Sequence, residues 1–196
     1  MPTPEGALAL AAAMADELED YLLSDELFWT LSRRPDLGPA APRLTLGGLM
    51  LTLDVLEAHS DSLPPAGRTS AERLRQRIET QATRWAAAWA RKAARELATR
   101  ARMWEAYVLD LPEQPDLAAE YTQQARPRAM AERLAPVAAE GDLREQALER
   151  LRTADALLRP GFDPGAFVWE PALARLYPPG PFWFLYGRPR PRDYLA

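Results

Sequence analysis

Carboxylates at Asp16, Glu17 and Asp20, and again at Asp54 and Glu57 with His59 close behind, are the residues whose types and spacing could do chemistry. Steps of three and four residues on a helix put side chains on one face, as general acid–base work or binding of a hard cation requires. A solvated or salt-bridged acidic face has the same spacing, and the remaining inventory favours that plainer reading. There is no cysteine, and one histidine would have to supply every imidazole function, so no catalytic residue, metal ligand or cofactor is assigned. His59 falls near a predicted helix end, where an imidazolium serves the terminal carbonyls. Gly-x-Ser-x-Gly, phosphate-loop and dinucleotide glycine patterns are missing from the sequence. Absence of asparagine removes N-glycosylation, and absence of cysteine removes a disulfide framework.

Charge is distributed more tellingly than it is summed. The formal net charge is −4, not that of a dedicated nucleic-acid binder. Yet residues 1–31 carry seven acids and no base, whereas residues 68–102 carry ten bases against three acids. Opposite fields of this size can pair within one fold or between two molecules. Arg84, Arg91, Lys92, Arg95 and Arg102 are therefore the candidate polyanion or partner surface, with Lys92 the single lysine of the chain. Trp85, Trp89 and Trp104 lie nearby and could stack on bases, but they share an apolar stripe and are expected in the core.

These residues must be positioned by helices. The chain has 196 residues, 47% of them hydrophobic, which suits one domain with a sizeable core. Nineteen prolines divide it into helical segments. A first helix is predicted over 6–31, its Ala-rich opening lacking the basic flank of a signal peptide. A second, capped by Thr45 and running to Ala58, is apolar on nearly all sides and belongs at the centre of the core. Residues 68–111 contain neither glycine nor proline, and Thr69 with Glu72 has capping-box spacing. One unbroken helix of ~40 residues and ~60 Å is predicted there. Asp116 and Asp142 are expected to cap further helices, the first interrupted or kinked at Pro127 and Pro136, the second ending near Pro160-Gly161. No apolar run reaches the length of a membrane span.

Residues 160–196 hold eight of the prolines and nine of the 17 aromatic residues. A disordered tail would be poor in aromatics. An extended path across the bundle is predicted, with a short helix over 171–177. Trp183, Tyr186, Arg188, Arg190 and Arg192 form a candidate interaction element, since alternating arginine and proline suits an aromatic groove.

The expected architecture is all-α, a bundle of about five helices around the long one over 1–160, with segment 161–196 packed on it in the same domain. A spine that outreaches the other helices invites a second copy, so a homodimer is expected. Strong interaction surfaces beside an empty catalytic inventory point to a cytoplasmic, non-catalytic adaptor or assembly protein that binds another protein. The alternative is a nucleic-acid-associated protein using the arginine face. No membrane association is expected.

Overall fold

The structure, a computed structural model, describes residues 3–33 and 43–190. It is all-α, with seven α-helices and one two-stranded sheet among the described residues. None of these helices is long and apolar enough to cross a membrane. The chain divides into two compact units, and the division falls inside one helix, between Glu96 and Leu97.

Unit 1 runs through Glu96 and takes back Val137–Ala139. Its elements are α1 (Pro4–Asp16), α2 (Leu18–Leu23), α3 (Leu46–Ala58), α4 (Pro65–Arg84) and the N-terminal half of α5 (Ala86–Asp110). Thr45 caps α3 as its sequence predicts, its hydroxyl accepting the Gly48 N–H at 3.0 Å. Leu46, Leu49, Leu51, Val55 and Leu56 are buried against a core that includes Ala7, Leu10, Met14 and Leu18. Val137–Ala139 is held by the Ala139 N–H, which donates to the Ala90 carbonyl at 2.9 Å.

Three expected elements are corrected here. The first helix does not reach residue 31: it breaks at Glu17 and ends at Leu23. Glu17 accepts hydrogen bonds from the Trp29 indole (2.7 Å) and the Ser32 N–H (2.8 Å), and the competing partners hold 24–33 as a loop. Residues 68–111 are not one rod. The helix ends at Arg84 and restarts at Ala86, with Trp85 at φ −111° and ψ 33°. The flanking Trp85-to-Gln81 and Trp89-to-Trp85 backbone bonds persist, so the break is confined to one residue, a half-buried tryptophan unmarked by glycine or proline. Trp89 is likewise half-buried, and of the three tryptophans only Trp104 is fully inside. Thr69 is not a cap, because α4 starts at Pro65, whose missing N–H and fixed φ suit a first helical position. Its hydroxyl instead donates to the Pro65 carbonyl.

Unit 2 comprises Leu97–Pro136 and the residues from Glu140 onward. It contains the C-terminal half of α5, α6 (Tyr121–Leu134), α7 (Asp142–Leu158), and strands β1 (Phe162–Phe167) and β2 (Tyr186–Pro189). A 3₁₀ segment over Pro115–Glu120 leads into α6, which runs through Pro127 without ending. Asp142 is the first helical residue of α7 rather than its cap, which is Gly141 at φ 129°. The predicted short helix near 171 is a 3₁₀ turn, Pro171–Leu176.

Strands β1 and β2 pair antiparallel, Phe162 opposite Pro189 and Pro164 opposite Gly187, with a bulge before Phe167 meets Tyr186. Gly187 has φ 143°, and a Cβ there would collide with the Asp163 carbonyl, so glycine is required. Every described aromatic ring after residue 160 joins a ring-to-ring network. Phe184 lies 5.9 Å from Trp104, Phe162 6.0 Å from Tyr121, and Phe182 4.9 Å from Tyr177. The C-terminal segment is thus core of unit 2, which explains why a proline-rich stretch carries so many aromatics.

Candidate interaction surfaces

The basic segment of unit 1 meets the acidic one. Arg77 pairs with Asp16 at 2.6 Å, Arg84 with Glu19 at 3.7 Å, and Arg95 with Asp25 at 3.8 Å. The pairs advance together along both segments, so the opposed fields read from sequence are partly neutralised within one unit. All six side chains remain substantially exposed, which makes each pair weak.

Lys92 is the exception. It is 3% exposed, and its ammonium donates to the Ser24 and Glu26 carbonyls at 2.8 and 2.7 Å, 4.5 Å from the Tyr21 ring centroid. Burial, aided by the Arg95 charge, lowers its pKa from the ordinary lysine value, against the opposing effect of Asp25 and Glu26. This lysine closes the C-terminal end of α2 and cannot serve an outside ligand in this arrangement. Arg84 also stacks over the Trp85 ring, and Arg95 donates to the Asp25 carbonyl at 2.9 Å. Arg91 is exposed. Arg102, exposed in unit 2, donates to the Thr99 hydroxyl. The five proposed cations therefore do not make one free face.

The C-terminal element is similarly engaged. Trp183 lies beneath the Arg159 guanidinium, 4.0 Å from carbon to ring centroid, and the Tyr186 hydroxyl donates to the Tyr177 carbonyl at 2.9 Å. Arg190 donates to the Pro160 carbonyl at 2.6 Å and pairs with Asp163 at 3.2 Å. Arg188 is exposed and reaches the Thr122 hydroxyl only at 3.5 Å. Arg192 lies outside the described residues.

The candidate carboxylates do not converge. Glu17 is committed to its loop: burial alone would raise its pKa, but hydrogen bonds from Trp29, Ser32 and Arg33 lower it. Glu57 pairs with Arg75 at 2.9 Å, Asp20 is exposed and Asp54 is buried. Among the described residues no group of three or more His, Cys, Asp or Glu could hold a metal ion. Two polar positions escaped the sequence reading. Glu96, fully buried, accepts the Gly47 N–H at 3.0 Å and serves the positive N-terminus of α3. In unit 2 Asp155 accepts from Arg128 at 2.9 Å and from the Trp104 indole at 2.8 Å, while Arg128 also bonds Glu132 at 2.7 Å and lies over the Phe184 ring. Only the four-residue step from Arg128 to Glu132 is visible in sequence.

Among the described residues, unit 2 leaves four large apolar side chains exposed beside its charged ones. Met103 and Leu109 of α5 are 43% and 56% exposed, and Leu143 and Leu157 of α7 are 44% and 51% exposed. The two helices are joined by the Glu105–Arg150 ion pair and the Trp104–Asp155 hydrogen bond. Compared with family models, curated proteins and solved structures, the chain finds no match.

Proposed function

We propose that this chain is a non-catalytic helical adaptor or assembly protein, acting in the cytoplasm, whose first partner is a second copy of itself. The observation that carries the reading is the set of four large aliphatic side chains left in water on α5 and α7 of unit 2. Large apolar side chains exposed on two joined helices suit a protein partner better than a polyanion. Internal engagement of Arg84, Lys92 and Arg95 supports the same choice, since cations already satisfied offer less to a phosphate backbone.

Sedimentation velocity over a concentration series tests it. A dimer that dissociates on Leu109→Glu plus Leu157→Glu, with helicity unchanged, is the expected result. A monomer throughout removes the homodimer. If cross-linking in the source cell then recovers no contact through α5 or α7, the adaptor reading falls with it.

A further inference from the structure

The β-ladder of unit 2 carries a gap. Asp163 stands opposite Arg188 and Pro164 opposite Gly187, yet the next partner along β1 is Phe167, opposite Tyr186. Gly165 and Ala166 therefore face no residue of β2, and neither has a side chain that would fill the space so opened. Tyr186 and Arg188 share a face of β2, so their partners Phe167 and Asp163 lie on that same face of the ribbon. The result is a groove of about 370 Å³ over the bulge, lined by Asp163 and Arg188 on the charged side and by the half-buried Phe167 and Val168 on the apolar side. A volume of this order accommodates a small molecule.

The two charges are not equivalent. Asp163 already pairs with Arg190 at 3.2 Å. Arg188 is exposed, and among the described residues its guanidinium has one polar contact, the Thr122 hydroxyl at 3.5 Å, the limit of a hydrogen bond. The rim thus holds one cation in excess, a planar fork with N–H donors to spare for the two oxygens of a carboxylate. With Asp163 across the ladder, a single negative charge fits better than the near-double charge of a phosphate. A ligand that satisfies both sides is an anion on an apolar body. We propose that the groove binds a small monocarboxylate, its carboxylate on Arg188 and its apolar body against Phe167 and Val168. Neither the groove nor this ligand depends on the apolar residues of α5 and α7.

Calorimetric titration of the full chain with phenylacetate and hexanoate, beside phenylacetamide and acetate, tests the assignment. At least one of the two acids should saturate the protein, and the stronger of them identifies the body as aryl or alkyl. Phenylacetamide, which keeps the ring and loses the charge, and acetate, which keeps the charge and loses the body, should each bind at least about tenfold more weakly. Arg188→Gln should weaken the preferred acid about tenfold. Gly165→Val should obstruct the groove: a Cβ there meets only the Gly187 Cα, at 3.7 Å, so the Tm should hold while affinity falls at least about tenfold. Equal affinity for acid and amide, or an Arg188→Gln variant that binds the acid as well as wild type, would overturn the site. So would the absence of saturable heat with both acids at about 10 mM. Should Gly165→Val not fold, Arg188→Gln decides alone, because its side chain is exposed. A capped acidic pentapeptide bound more tightly than either acid would overturn the small-molecule assignment in favour of a peptide.

Discussion

Asp16–Arg77 in unit 1 and Asp155–Arg128 in unit 2 are the same carboxylate–guanidinium pairing in two media. The first is 2.6 Å long with both side chains about half in water; the second is 2.9 Å long with side chains 7% and 13% exposed. Solvent screens the first and asks little when it opens. Around the second, Asp155 also satisfies Trp104, and Glu132 also satisfies Arg128, so removing one member strands the others. Contact length does not rank these pairs. What each partner would face alone does.

The largest effect should come from Asp155→Ala. It leaves Arg128 with Glu132 alone and deprives the buried Trp104 indole of its acceptor. A loss of about 3–5 kcal/mol is expected from urea unfolding, with the near-ultraviolet signal of Trp104 altered. Replacing both Asp155 and Arg128 by apolar residues should recover part of that loss, which separates the cost of an orphaned charge from the worth of the pair. No recovery would mean the network contributes net stability.

Lys92→Met comes next and carries the buried case into unit 1. Loss of two charge-assisted bonds to the Ser24 and Glu26 carbonyls should cost about 1.5–3 kcal/mol. The sign of the pH effect follows from the lowered pKa. Between the folded and unfolded values the unfolded chain holds more protons, so this group's contribution to stability rises with pH up to the unfolded lysine value. The variant should lack that alkaline slope. Because Lys92 is the only lysine, acylation mapped at this residue reports directly on its burial: the native protein should resist and the denatured chain should react. Rapid native labelling would refute the clamp.

Much of the architecture was legible in the sequence because it rests on local physics. Thr45 is a hydroxyl before an apolar helix, and the aromatic density after residue 160 required burial. Opposite charge of residues 1–31 and 68–102 foretold the pairing of Asp16, Glu19 and Asp25 with arginines. What escaped notice is long-range. Nothing near Glu17 shows that Trp29 and Ser32 will take its carboxylate and end a helix, and nothing near Trp85 marks the break between α4 and α5. Lys92 was counted among the surface cations because its neighbours are arginines; its acceptors lie some 66 and 68 residues away. Asp155 stands on a polar flank of α7, and only the arrival of Trp104 and Arg128 gives it a role.

Glu17→Gln lies between the buried and exposed cases. Its carboxylate accepts from an indole and a backbone N–H, so about 1 kcal/mol should be lost at neutral pH. The folded pKa is lowered, so the contribution is present above the unfolded value and disappears as pH falls through the folded one. Wild type and variant should converge in stability under acid. Divergence there would place the acid sensitivity elsewhere.

The smallest effect belongs to the exposed row. Arg77→Gln, Arg84→Gln and Arg95→Gln together remove the cationic half of three pairs in unit 1. Each should cost about 0.2–1 kcal/mol at low ionic strength, and salt should shrink the difference from wild type. Buried apolar residues Leu18, Tyr21 and Leu22 anchor the acidic segment independently, so its helix should persist in the triple variant. Asp155→Ala should keep its full deficit at the same salt concentration, because its charges are shielded from ions by protein. If salt rescued both variants equally, burial would not be what separates the two regions.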